Sequence, residues 1–398
     1  MTPTRATLPG RASAVVIGGG VMGTSIAFHL AEAGQDGVLL LERDSLGAGS
    51  TSKAAGGVRA QFSDALNVAM GARGLQAFAD FGRRPGQEID LHRVGYLFLL
   101  TEPEDVAAFG QAVALQNAMG VPSRLLDAGE AAALAPIVRT QDVLAAAFHS
   151  GDGYCSPESV VLGYATGARR HGAAVLTGVE VTGIETRDSG AGPGEIVAVV
   201  TTAGRVETST VVCAAGAWSA EIGAMAGVDL PVVPLRRQIL VTEPMPAPVA
   251  ALVPPSMPMT IDFSSTFYLH REGPAILLGM SDPDERPGFR LERDDGWLPR
   301  LTAAIEHRAP ALLDLGIAHG WAGLYEMTPD HNALIGESGG AQRFLYATGF
   351  SGHGFLQGPA VGEVIRDLVL GREPFVEVSA LSADRFAGGA TRPENAVV

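Results

Sequence analysis

The chain has 398 residues, 46% of them apolar and 18% charged, enough to bury a substantial core as one large or two modest domains. A formal net charge of -15 and a pI near 5.0 argue against nucleic acid and anionic membrane as partners, and no apolar run approaches the length needed for membrane insertion. Cys155 and Cys213 form neither a metal-like cluster nor a disulfide framework, so no metal is expected; with an N-terminal MTPTRATLPGR that lacks the apolar core of a signal peptide, they point to a reducing cytoplasm.

Residues 1–12 read as a loose leader. From Ala14 to Asp44 the order is strand, tight glycine turn, helix, strand. Ala14 to Ile17 is a short β-branched run, and Gly18, Gly20 and Gly23 place G-x-G-x-x-G where a helix must begin. The first glycine permits the turn, the second admits a pyrophosphate to the backbone, and the third lets helix and strand pack closely. Ile26, Leu30 and Ala33 keep helical spacing up to Gly34. Val38 to Leu41 form a second buried strand ending in Glu42, where a carboxylate accepts hydrogen bonds from an adenosine ribose. A dinucleotide is therefore the expected cofactor class.

Residues 46–62, LGAGSTSKAAGGVRAQF, are too rich in glycine, serine and alanine for a core strand and suit a loop pressed against a flat or anionic ligand. This loop holds Lys53, the only lysine among 28 basic residues. A helix over Asp64 to Phe81, a strand around Val94 to Leu100, a helix over Glu104 to Met119, a strand over Ala145 to His149 and a helix over Glu158 to His171 follow. Short strands then predict a meander: Val175 to Leu176, Val179 to Ile184, Ile196 to Thr201 and Val206 to Glu207. Thr210 to Ala214 is a buried strand entering AAGAWS, a strand–glycine–helix junction suited to approach the cofactor. Val232 to Thr242, Thr260 to Phe263, Phe267 to His270 and Ile276 to Gly279 predict a second, antiparallel sheet carrying a substrate wall, with Pro244 to Pro258 as a surface excursion. His270 and Arg271 on that sheet are pocket candidates. After a helix over Leu298 to His307 and a strand over Ile317 to Tyr325, Ala333 to Ile335 and Phe344 to Ala347 return to the first domain. A helix from about Phe355 to Leu370 closes the chain.

Taken together and in order, the fingerprint, the GAGSTSKAAGGVR loop, the AAGAWS junction, the GLYEMTPD turn and the terminal ATGFSGHGF resemble the FAD-dependent amine and amino-acid oxidoreductases across essentially the whole chain. That group includes glycine oxidase, D-amino-acid oxidase, monomeric sarcosine oxidase, the sarcosine oxidase β subunit and dimethylglycine dehydrogenase; the flavour is that of the sarcosine oxidase β-subunit-like branch. The resemblance implies a mixed α/β fold. A Rossmann-like FAD-binding domain would be assembled from residues 1–82, 150–216 and 328–398, and an antiparallel-sheet substrate domain from 83–149 and 217–327. FAD would lie extended over Gly18, Gly20 and Gly23, with Glu42 on its ribose, Arg43 near the adenine and the backbone of Val181 against the same base. Ser50, Thr51 and Ser52 would follow the phosphates and ribityl chain, with Gly56 and Gly57 near the isoalloxazine and Ala215 and Gly216 at the junction. Gly349, Gly352, His353, Gly354 and Phe355 would bring backbone donors and the positive end of the last helix to the flavin's pyrimidine edge, where negative charge develops on reduction.

Departures from the family pattern are informative. Sarcosine oxidase joins flavin to a cysteine where this chain has Gly323, and dimethylglycine dehydrogenase uses a histidine where it has Lys53, so FAD is expected without a covalent bond. Arg59 matches the arginine that grips the substrate carboxylate in sarcosine oxidase, while Leu356 replaces the lysine. Tyr325 stands where glycine oxidase has an arginine, and its hydroxyl offers one hydrogen bond in place of a fork. Leu277 stands at the place of the oxygen-activating lysine. The residues expected at the reacting end are Arg59, Tyr325, His270, His353 and Lys53. The implied reaction is oxidation of a primary or secondary amine or amino acid, with oxygen or another acceptor taking the electrons. The alternatives are a 2-hydroxy-acid dehydrogenase, a flavin-bearing chain working with a partner subunit, and a nicotinamide enzyme.

Overall fold

The computed structural model describes residues 7–188, 194–387, 389, 391–394 and 396. Its first sheet has six strands in the order Leu334–Glu337, Phe344–Thr348, Val211–Cys213, Ala14–Ile17, Val38–Glu42 and Ala174–Thr177. All neighbours run parallel except the edge strand Leu334–Glu337. The central strands are covered on both faces, which is why they read as unbroken apolar runs and not as alternation. Val175 and Leu176, expected in the meander, belong to this sheet's far edge, paired with Leu40 and Leu41. An apolar pair between two glycine turns carries no signal of which edge it joins.

Helix Val21–Glu32 is wedged between helices Pro157–Arg170 and Gly354–Val369, and every side chain from Val21 to Ala31 is buried. Helix Ala65–Ala79 packs on the terminal helix, and its start is set by Asp64, whose carboxylate accepts from the amides of Leu66 (2.9 Å) and Asn67 (3.3 Å). The meander is confirmed as Val181–Arg187, Gly194–Thr201 and Gly204–Glu207, with Ala341–Gln342 added in parallel. Residues 1–6 of the expected leader lie outside the described residues. Gly10 to Ala12 are fastened, not loose: Ala12 N donates to Glu207 O at 2.8 Å and Glu207 N to Gly10 O at 3.0 Å.

The second large sheet has eight strands in the order Ile317–Met327, Val233–Thr242, Ala275–Met280, Phe267–Glu272, Met259–Asp262, Tyr96–Leu100, Ala145–His149 and Arg124–Leu126. It is antiparallel as expected, apart from the parallel pair Met259–Asp262 with Tyr96–Leu100. The proline-rich excursion holds a short helix, Ala247–Leu252, and returns Val253 and Met257 to the core. Helix Ala128–Leu134 was not expected. Its Asp127 and Glu130 form a reciprocal capping box.

Loop 46–57 runs between the two sheets and is tied to the second. Ser50 Oγ donates to Leu324 O (2.6 Å), Trp321 Nε1 donates to Lys53 O (3.0 Å), and His270 Nε2 lies 3.1 Å from Ala55 O. The strand containing the GLYEMTPD turn and the loop of the sole lysine are thereby held against each other.

Candidate active site

A cleft of ≈ 360 Å³ opens between the two sheets and extends from the fingerprint turn to the face of the second sheet. At one end Gly18 has φ +113°, and a Cβ there would fall 2.3 Å from Ala214 O, so only glycine makes this turn beside the neighbouring strand. A Cβ on Gly23 would lie 1.8 Å from Gly18 O; its role is close helix–strand packing behind the wall. Gly20 differs, because a Cβ there would meet only Thr51 Oγ1, at 3.1 Å, so its backbone fronts open space. Thr51 Oγ1 also accepts from Val21 N at 3.1 Å, which satisfies one of the helix's first amides and leaves its neighbours directed at the cleft. Glu42 accepts from Gly19 N (2.6 Å) and Asp44 N (2.7 Å), one bond on each oxygen, and keeps lone pairs for ribose hydroxyls. Val181, Ala215, Gly216 and Arg43 line the same end; the Arg43 guanidinium lies 4.2 Å over the Trp218 ring, which itself stacks on Phe289.

Further along, Ser50, Thr51, Lys53, Gly56 and Gly57 line one side, and Gly352, His353, Gly354 and Phe355 the other. Ser52, expected along the phosphates, does not line the cleft; its amide donates to Gly47 O at 3.0 Å within the loop. Gly349 also stands behind, donating its amide to Glu326 Oε2 at 3.1 Å. His353, at the start of helix Gly354–Val369, is buried, and neither ring nitrogen has a hydrogen-bond partner. Burial and the Arg59 charge push its pKa down to about 3, so it faces the cleft as a neutral imidazole. These features fit an extended flavin dinucleotide: open backbone at Gly20, a ribose acceptor in register, a helix N-terminus, and an unpartnered buried imidazole beside it.

The two family attachment positions meet here. A Cβ on Gly323 would be 2.5 Å from Lys53 Cβ, so both point at one place along the cleft, and neither presents a thiol or an imidazole. Cys155 and Cys213 are buried off the cleft, and burial pushes both thiols up, Cys213 to about 11.

The far end is built by Arg59, Tyr96, Tyr268 and Tyr325 with the apolar Ile239, Met259, Ile261 and Leu356. Burial raises the pKa of all three tyrosines, so their hydroxyls stay protonated at neutral pH. The glycines around them are required by proximity: a Cβ on Gly57 would strike Tyr96 Oη at 1.7 Å, and one on Gly352 the Tyr325 ring at 2.4 Å. Arg59 is buried and does not present a free fork. Its Nη1 donates to Gln61 O and its Nη2 to Ala396 O at 2.6 Å, with the guanidinium 4.1 Å over the Phe62 ring.

His270 is not in the cleft. Its ring is buried between Arg271 O (2.8 Å) and Ala55 O (3.1 Å), stacked at 4.2 Å on Tyr154, and burial lowers its pKa to about 4. Arg271 is turned away to Gly273 O and Val253 O. Leu277 packs in an apolar cluster with Ile239 and Val241. The cleft groups that escaped the sequence reading include Tyr96, Tyr268, Arg237 and Glu326. For Arg237 the signal was available in principle, since strand alternation separates it from Arg236. Glu326 lines the cleft between Gly216 and the terminal glycine turn, accepting from Thr348 Oγ1 (2.9 Å) and Gly349 N (3.1 Å), and burial pushes its pKa up to about 7.

A family model described as DAO, FAD dependent oxidoreductase, matches residues 13–368. The chain is 30% identical over 393 residues to mitochondrial dimethylglycine dehydrogenase of Rattus norvegicus, covering 94% of this chain and 45% of that protein. It is 28% identical to mitochondrial sarcosine dehydrogenase of Mus musculus, covering 95% of this chain and 42% of that one. The chain therefore spans less than half the length of these curated relatives. Among solved structures it resembles L-proline dehydrogenase from P. horikoshii, with a TM-score of 0.89, 33% identity, and coverage of 97% of this chain and 100% of that one. Glycine oxidase from Geobacillus kaustophilus superposes with a TM-score of 0.81 at 25% identity, over 95% of this chain and 99% of that one. With the cofactor cradle, the ribose acid and the flavin-side glycines all on one cleft, the chain belongs to the DAO family of FAD-dependent oxidoreductases.

Proposed function

We propose that this protein oxidises a C–N bond in a secondary or primary amine or amino acid, giving an imine that water hydrolyses to a carbonyl compound and an amine. FAD, held by the Gly18–Gly23 turn, Glu42 and the start of helix Gly354–Val369, would supply the two-electron acceptor for hydride transfer from the carbon beside the nitrogen. The carrying observation is the positive charge of the cleft beyond the dinucleotide cradle: Lys53, Arg59 and Arg237 line it, and among the described residues none of them forms an ion pair.

That charge has two consequences for an amine substrate. It attracts a carboxylate, and it raises the cost of an ammonium in the same space, favouring the neutral amine whose lone pair supports the developing C=N bond. The proton shed by the amine on binding leaves to solvent before the hydride moves, so no strong base is required of the chain. The side chains agree with this division. Neutral His353 and the three protonated tyrosines orient by hydrogen bonds, and the apolar wall of Ile239, Met259 and Ile261 excludes water from the reacting carbon. Noncovalent attachment of FAD follows from Gly323 and Lys53 at the two linkage positions.

The test is anaerobic mixing of the yellow protein with sarcosine, dimethylglycine, proline, D-amino acids and 2-hydroxy acids. Flavin bleaching by one or more of the amines is expected. Bleaching by hydroxy acids alone overturns the reading.

A further inference from the structure

Two adjacent arginines on strand Val233–Thr242 have opposite fates. Arg236 points away from the cleft and is saturated: Nε donates to Glu285 (2.7 Å), Nη1 to Glu292 O (2.7 Å) and Nη2 to Asp294 (3.1 Å). Arg237, on the other face of the strand, lines the cleft. Its Nη1 donates to Arg236 O at 3.2 Å, its Nε is buried without any acceptor, and among the described residues Nη2 has none either. The Tyr325 ring lies 5.3 Å from the guanidinium carbon and holds the group against one wall.

The unused Nε–Nη2 edge is the one that grips a carboxylate side-on, and this chain shows the grip repeatedly. Arg73 holds Glu363 in this way, with N–O distances of 3.0 and 3.1 Å, and Arg84 holds Glu32 at 2.8 and 2.5 Å. Arg366 holds Asp367 at 2.8 Å on both atoms, and Arg385 holds Asp330 at 2.9 Å on both. Leaving a charged N–H buried and unpaired is costly, and one ligand carboxylate satisfies both donors at once. Arg59, with Nη1 and Nη2 already committed to backbone carbonyls, does not offer the same edge.

We propose that Arg237 is the two-pronged clamp for the substrate's carboxylate, which makes the enzyme's substrate an amino acid and not a simple amine. Arg59 then contributes charge and fixes loop 46–62. This rests on the amine-oxidation reading above and names the substrate class within it.

The experiment uses the FAD-loaded protein and two unreactive probes, pyrrole-2-carboxylate and pyrrole, titrated by calorimetry and by shifts in the flavin visible spectrum. The parent protein should bind the carboxylate at least tenfold more tightly than pyrrole. Arg237→Ala and Arg237→Lys should each lose that preference at least tenfold, Lys because a point charge lacks the fork, while FAD content and pyrrole binding stay at parental levels. Equal binding of both probes by the parent, or an unchanged preference in Arg237→Ala, overturns the assignment. Loss of FAD from both variants also overturns it, placing Arg237 on the cofactor. Bleaching by hydroxy acids alone, with the probe preference intact and lost in the variants, would sink the amine chemistry and leave the clamp standing.

Discussion

Glu326 offers the sharpest test of the electrostatics. Its carboxylate accepts two hydrogen bonds, from Thr348 Oγ1 and Gly349 N, both of which favour the charged form. Burial outweighs them and raises the pKa from 4.5 to about 7. Because the folded-state value lies above the unfolded one, the folded protein keeps a proton that the unfolded chain releases. The stabilisation is present in full below about pH 4.5 and is lost as pH rises through about 7. A shift of roughly 2.5 units at about 1.4 kcal/mol each gives about 3 kcal/mol in all, of which about 2–3 kcal/mol disappears between pH 5 and pH 8. Glu326→Gln keeps the shape and an oxygen for both donors but cannot ionise. Urea unfolding of FAD-depleted protein at both pH values should show the parent losing about 2–3 kcal/mol more than the variant over that interval. Parallel pH dependence in the two proteins would refute the reasoning.

Gly20→Val should fold normally yet purify colourless, since its side chain meets little within the protein but occupies the place of the pyrophosphate; normal flavin content in a folded variant would remove Gly20 from the cradle. Gly352→Ala sets a Cβ 2.4 Å from the Tyr325 ring at φ +101°, so it should lower stability by about 1–3 kcal/mol and weaken substrate binding, and an unchanged unfolding midpoint contradicts this. Denaturing precipitation should leave the yellow colour in the supernatant, and a yellow pellet would show a covalent bond that Gly323 and Lys53 do not provide.

Legibility in the sequence followed the range of the interactions. The fingerprint from Ala14 to Glu42 is one local βαβ unit, readable from its spacing, although Gly18 answers to Ala214 on the next strand of the sheet and only Gly23 to a neighbour within the unit. The parallel sheet's buried runs and the long helices were also plain, because burial on all sides leaves a continuous apolar text. Arg124–Leu126 was invisible because three residues show no period, whereas the helix after Asp127 announced itself through a capping box that the reading passed over. His270 looked like a pocket residue because its strand carries part of the wall, but the next strand and Ala55 enclose it. Arg59 lines the cleft, yet its commitment to Gln61 and Ala396 depends in part on a segment 337 residues away. Arg237 and Glu326 owe their character to what is absent around one and crowded around the other, and neither condition is written in adjacent residues.

The three ties between loop 46–57 and the second sheet, at Ser50, at Lys53 and at Ala55, have a mechanical consequence. Parting the sheets along that seam would break all three at a cost of roughly 1.5–4.5 kcal/mol, while also exposing the apolar wall. The seam therefore sets the placement of the lysine loop against the sheet that carries the apolar wall. Leu291, near the end of the segment that carries Phe289, also lines the cleft. Arg236 grips that segment through Glu285 and Asp294, and the Phe289 ring lies flat on Trp218. Arg236 thus fixes a segment that lines the cleft while its neighbour Arg237 faces the cleft itself, so one dipeptide of the strand sets both a wall and a grip.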